Sequence, residues 1–147
     1  MEQDMYTVFG SAEEQLIEHA ISLAEKETSG EIRVHVDNKC KENVLDRAVY
    51  VFKLLDMHET QLRNGVLIYV AIQDQKLAII GDHGINQMVP KDFWEEAKEL
   101  MIENFKKGQY TEGICRAIEL AGNQLKSYFP YQEDDVNELP NQVSFGQ

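Results

Sequence analysis

Between Glu133 and Glu138 five of six residues carry a side-chain carboxylate or amide. Asp134, Asp135, Asn137 and Glu138 together offer oxygen ligands of the kind that hold Ca2+ or Mg2+, since calcium takes six to eight oxygens from carboxylates, amides and carbonyls in flexible geometry. Phe129, Tyr131, Leu139, Val143 and Phe145 bracket the stretch. A frayed terminus would be polar throughout, so these residues read as anchors. The alternation Asp135-Val-Asn137 is that of an EF-hand loop, but the glycine and the distal glutamate of that loop are missing. It is not an EF-hand.

Four side chains are too few for a specific calcium site, so a second segment has to contribute. Asp82 with Asn86 is the first candidate, because the loop Gly81-Asp-His-Gly-Ile-Asn86 sets an aspartate between two glycines at the end of a strand. Asp37 with Asn38 is the second. The alternative for the acidic stretch is a solvated turn whose Phe and Leu side chains pack on a sheet edge.

Other chemistries lack a partner residue. Val34-His-Val-Asp37 ends a strand in an aspartate, as phosphatases with an aspartate nucleophile do, but the second aspartate they need two positions on is Lys39. A cysteine phosphatase loop would need an arginine six residues after Cys40; Asp46 stands there and Arg47 follows it. His19, His35, His58 and His83 include no pair at the i, i+4 spacing of a helical metal site, and no glycine-rich loop follows the first strand. No catalytic residue is assigned.

These residues must be positioned by alternating helices and strands. Ser11-Ala-Glu-Glu14 has the form of a capping box, followed by Leu16, Ile17, Ala20, Ile21 and Ala24 at helical spacing up to Thr28-Ser29-Gly30. Glu31 to Val36 alternates as a strand, and Asn43 to about Met57 is a second helix. Gly65 to Ile72 is apolar without alternation, which predicts a central strand covered on both faces. Leu77 to Gly81 returns antiparallel, bringing Asp82 back toward Arg63 and Asn64. Pro90 is expected to open a third helix, and Thr111 to Tyr128 to form a fourth that Pro130 stops. The fold class is α/β: a three-layer α/β/α sandwich with a mixed sheet of about four strands and two helices on each face. The fourth strand is expected at Met5 to Phe9 or at Gln142 to Phe145.

The 147 residues suit one domain, with 129–147 as an ordered C-terminal extension. The net charge of -12 disfavours a nucleic-acid partner, because clustered Lys and Arg are what neutralise phosphates. Cys40 and Cys115 form no zinc motif. The acidic start MEQDMYTVFG is unlike a signal peptide and no apolar span of membrane length occurs, so a cytoplasmic monomer without membrane insertion is expected.

Ser29-Gly-Glu-Ile32, Arg63-Asn-Gly-Val-Leu-Ile-Tyr-Val70, Ile80-Gly-Asp-His-Gly-Ile85 and Phe105-Lys-Lys-Gly-Gln-Tyr-Thr-Glu-Gly113, in this order and spacing, resemble the TPM domain family, over roughly Ser11 to Leu125. The resemblance implies an α/β/α fold, a tendency to bind calcium, and the acid phosphatase activity described for plant members. It is to a stand-alone cytoplasmic bacterial branch. Two positions depart from the family pattern: Arg63 where many members have an acid, and Asn86 where they often have glutamate. The expected function is a non-enzymatic domain that binds Ca2+ or Mg2+ through Asp82, Asn86, Asp134, Asp135, Asn137 and Glu138. The metal would order loops for an unknown protein partner. The alternative is a metal-assisted acid phosphatase acting on phosphomonoesters.

Overall fold

The computed structural model describes residues 4–133 and 137–147. Along the chain run α1 (Met5–Val8), α2 (Ser11–Ala24), β1 (Glu31–Asp37), α3 (Val44–Leu54), β2 (Gly65–Ala71), β3 (Lys76–Gly81), α4 (His83–Asn86), α5 (Glu95–Lys106), α6 (Tyr110–Leu125) and β4 (Ser144–Phe145). The sheet has the order β3-β2-β1-β4. β1 is parallel to β2, with Glu31 opposite Gly65, whereas β3 is antiparallel to β2, with Gly81 opposite Val66. The mixed α/β sheet expected from the strand pattern is therefore present.

β2 explains why both faces must be covered. Val66, Ile68 and Val70 enter one apolar cluster with residues of α2, α5 and α6, while Leu67, Tyr69 and Ala71 enter the other with Ala48, Val51 and Phe52 of α3. At most 1% of any of these β2 side chains is exposed, and burying each large one contributes roughly 1.5–3 kcal/mol. The long helices are divided unevenly, rather than two to a face. Among the described residues α3 is the one long helix in the second cluster, and Met57, Cys40 and Leu139 fill it out.

Element ends differ from the sequence reading for local reasons. The first long helix begins one residue earlier in its capping register: Glu13 Oε1 accepts the Gly10 N–H at 3.2 Å, and Gly10 has no side chain to return the bond. Pro90 precedes a turn rather than the helix, which starts at Glu95. That turn folds Phe93 and Trp94 inward, edge to face at 4.7 Å, and their burial outweighs an earlier helix start. The last helix ends at Leu125, three residues before Tyr128.

The fourth strand is Ser144–Phe145, parallel to β1 opposite His35 and Val36. The competing segment, Met5–Val8, is helical because Asp4 caps it through the Tyr6 N–H and because Met5 and Phe9 are both buried, one helical turn apart. Among the described residues no helix is long and apolar enough to cross a membrane.

Candidate functional site

The C-terminal extension runs along the open edge of β1. Glu31 Oε1 accepts the N–H groups of Glu138 (2.5 Å) and Leu139 (2.9 Å), Ser144 Oγ lies 2.9 Å from His35 Nδ1, the Gly146 N–H donates to Val36 O, and the Gln147 N–H donates to Asp37 Oδ1. Glu31, His35 and Asp37 lie on alternate positions of β1, so they project from one side of the strand. All three are buried. At the other end Thr28 Oγ1 donates to Phe129 O, which also accepts the Ser29 N–H. The extension is thus tied to the turn between α2 and β1.

An open cleft of about 280 Å3 lies where that turn meets the extension. Its wall includes Glu25, Lys26, Ser29, Glu31, Asn137 and Asn141. Burial, with a contribution from the Glu31 charge, pushes the Glu25 carboxyl up to about 7 despite the hydrogen bond its Oε2 accepts from the Ile32 N–H. Below the turn sits Asn64, only 2% exposed, whose Nδ2 donates to Ser29 O while its own carbonyl oxygen accepts the Glu31 N–H. Asn64 Oδ1 is buried and has no hydrogen-bond partner among the described residues. Glu25 and Glu31 were missing from the expected site. The signal for Glu25 was present: a carboxylate just past the end of α2 opposes the helix dipole, so it needs another reason to stand there.

The four expected metal ligands that lie among the described residues are divided between two places. Asn137 lines this cleft and donates to Asn141 Oδ1, whereas the Glu138 carboxylate turns to the Gln61 N–H. Asp82 and Asn86 line a different cleft, of about 350 Å3, beside α3. There Asp82 caps α4 through the His83 N–H, and its two oxygens accept from Arg63 Nε (2.7 Å) and Nη2 (2.9 Å). The approach of Asp82 to Arg63 expected from the hairpin is borne out. Asn86 Nδ2 donates to Gly81 O. Asp134 and Asp135 lie outside the described residues.

Asp37, the second candidate, is occupied. Its Oδ1 accepts from His35 Nε2 and Gln147 N, and its Oδ2 from Arg47 Nε (2.9 Å) and the Tyr69 hydroxyl (2.6 Å). Burial alone would raise its pKa, but the bonds from His35, Arg47 and Tyr69 outweigh it and hold the carboxyl well below the usual carboxylate range. A fully buried carboxylate with this many donors is a structural clamp. Cys40 is likewise buried, with its thiol toward Glu42 O. One further group, Asp56, His58 and Glu59, sets three ligand atoms within 4.8 Å of one another on the turn after α3. It is largely exposed, and three ligands are half of what calcium needs.

Residues 3–124 match the family model of the TPM domain. Among solved structures, the NMR structure of the BA42 protein from the psychrophilic bacterium Bizionia argentinensis is similar, at 48% identity and a TM-score of 0.87, over 92% of this chain and 94% of that one. The solution NMR structure of the N-terminal domain of a protein from P. gingivalis shares the fold at 13% identity and a TM-score of 0.71, over 88% and 85% of the two chains. No curated protein matches the chain. With the family model spanning most of its length, the chain belongs to the TPM domain family.

Proposed function

We propose that this chain is a non-enzymatic, divalent-cation-binding domain in which Ca2+ or Mg2+ fastens the acidic part of the C-terminal extension to the turn between α2 and β1. The observation that carries this is the Glu25–Glu31 pair. Two carboxylates share one cleft wall with the Asn137 amide, and Glu25 is raised to about 7 by burial and by its neighbour's charge. A cation relieves that repulsion better than a proton does, because it attracts both carboxylates at once.

Glu25 and Glu31 are the second segment that the four ligands of the extension require, in preference to Asp82 and Asn86. Both oxygens of Asp82 already serve Arg63. Asp134, Asp135 and Asn137 follow one another closely enough in sequence to complete the oxygen set. Cation binding then biases the extension toward its docked arrangement, giving metal concentration control over a surface that a protein partner reads. No observation favours the phosphatase alternative, since both oxygens of Asp82, the carboxylate beside its candidate phosphate-binding group Arg63, are held by that guanidinium.

Calcium titration by calorimetry in physiological salt tests this reading on the wild type and on Asp134→Asn/Asp135→Asn and Glu25→Gln. Saturable binding at roughly micromolar Kd, weakened tenfold or more in either variant, is expected. Weak, unsaturable binding that neither variant changes would leave the extension a packing element only.

A further inference from the structure

We infer that the cleft between α3 and the Gly81–Asn86 loop is a binding site for a small organic oxyanion with an apolar body. It is separate from the cation cleft, and its failure would leave the cation reading intact.

Three observations carry the inference. The first is composition: a chain of net charge -12 places two cations, Lys53 and Arg63, with the imidazoles of His58 and His83 around one cleft of about 350 Å3, beside the apolar side chains of Val49, Phe52 and Ile80. The only carboxylate in that lining is Asp82, and Arg63 neutralises it. Asp56 and Glu59 stand beside His58 without lining the cleft. A site of this size with an apolar floor and a few convergent polar groups is the usual form of a small-molecule site.

The second is preorganisation. Arg63 adopts a φ of +50°, a left-handed conformation that costs a non-glycine residue energy and that the surrounding structure must hold in place. Asp82 fixes the guanidinium through Nε and Nη2, and the side chain remains half exposed, which keeps the Nη1 donors for a second acceptor. The facing loop is locked to the same turn: a Cβ on Gly84 would stand 2.3 Å from Leu62 O. A guanidinium aligned in this way matches the planar fork of a carboxylate or phosphate.

The third is an orphan. His58, a half-buried residue of the lining, has its Nε2 3.8 Å from Glu59 Oε1, while its Nδ1 is buried without a hydrogen-bond partner among the described residues. Buried polar atoms are nearly always satisfied, so Nδ1 is a group that a small turn of the ring would offer to a ligand. The apolar floor selects a ring or branched alkyl group, and the Lys53 ammonium with the free Arg63 donors selects its oxyanion.

The test is an amide NMR titration of the full chain with benzoate, with phenyl phosphate, and with sodium chloride at matched ionic strength. The two organic probes distinguish a carboxylate from a phosphate head group. The expected result is saturable shifts of the Lys53, Arg63 and 80–86 amides by at least one of them, with a Kd of about 1 mM as suits a ligand of so few atoms. In Lys53→Gln/His83→Gln, which alters two exposed side chains and so keeps the fold, the Kd rises about fivefold or more. A response that matches sodium chloride, fails to saturate, or is unchanged in the double variant overturns the proposal.

Discussion

Glu31 holds Leu139: a carboxylate oxygen at the first residue of β1 accepts the Leu139 N–H at 2.9 Å and the preceding N–H at 2.5 Å, across more than a hundred residues of sequence. Leu139 in turn is 6% exposed and belongs to the apolar cluster under α3. One side chain thus couples the sheet edge to the packing of the extension. Replacing it by alanine removes two charge-assisted bonds and leaves the buried Leu139 N–H unsatisfied. Glu31→Ala is therefore expected to lose about 2–4 kcal/mol in denaturant unfolding. Amide exchange of residues 138–147 should accelerate well beyond that of β2.

The Asp37 clamp makes a sharper demand. With Asp37 removed, Arg47 keeps its charge in a buried place and Tyr69 loses its acceptor, so Asp37→Ala is expected to cost about 3–5 kcal/mol. The double variant Asp37→Leu/Arg47→Met should recover much of the loss, because it leaves no buried charge behind. The acid limb follows from the same bonds. The folded carboxyl sits below its ordinary 3.8, so its stabilisation is complete above that pH and fades as pH falls further. Wild type should therefore lose stability below about pH 4 more steeply than the double variant, in thermal melts taken from pH 6 downward.

How much of this was legible in the sequence depends on which residues carried the information. The unbroken apolar run of β2 can only be a strand covered twice, and the short polar link after it can only be a hairpin; from these the meeting of Asp82 with Arg63 follows. β1 was harder. Its alternation reads as one face inward and one face in water, yet Glu31, His35 and Asp37 are 5%, 2% and 0% exposed because the extension covers them. Alternation reports that two faces differ in polarity and says nothing of whether the polar face meets water or a polar segment. The pairing of β4 rests on those contacts and on only two residues, so no local pattern could choose it over Met5–Phe9. For the same reason Glu25 and Glu31 were not connected to Asn137.

Gly84 tests whether the two loops at the Arg63 cleft are locked together. Its missing Cβ is what lets the Gly84 N–H reach Arg63 O at 2.9 Å. A methyl group would meet Leu62 O at 2.3 Å and Arg63 O at 2.7 Å, both backbone atoms. Gly84→Ala must therefore separate the loops and is expected to cost about 1–3 kcal/mol. The NMR shifts that move should be those of residues 60–65 and 80–88, with α6 unchanged. Gly108→Ala, where no atom lies within 4 Å but φ is +75°, supplies the contrast: strain without a clash, and a loss of about 1 kcal/mol.

Glu25 ties pH to the proposed cation. Its ordinary pKa of 4.5 rises to about 7 in the fold, chiefly through burial and further through Glu31. Between those values the folded protein holds a proton that the unfolded chain has released, so stability falls as pH climbs through the window and stays lower above it. Glu25→Gln should flatten that slope and raise Tm at pH 8 by about 2–4 °C in the absence of metal. With calcium present the ranking reverses. The ion needs the ionised carboxylate, so wild-type affinity should increase about tenfold from pH 6 to pH 8, with proton release in the lower part of that range. Glu25→Gln should bind more weakly and without this pH dependence, as read by calorimetry in two buffers of different ionisation enthalpy. A wild-type affinity that is flat across this range would remove Glu25 from the ligand set and overturn the proposed site at the turn between α2 and β1.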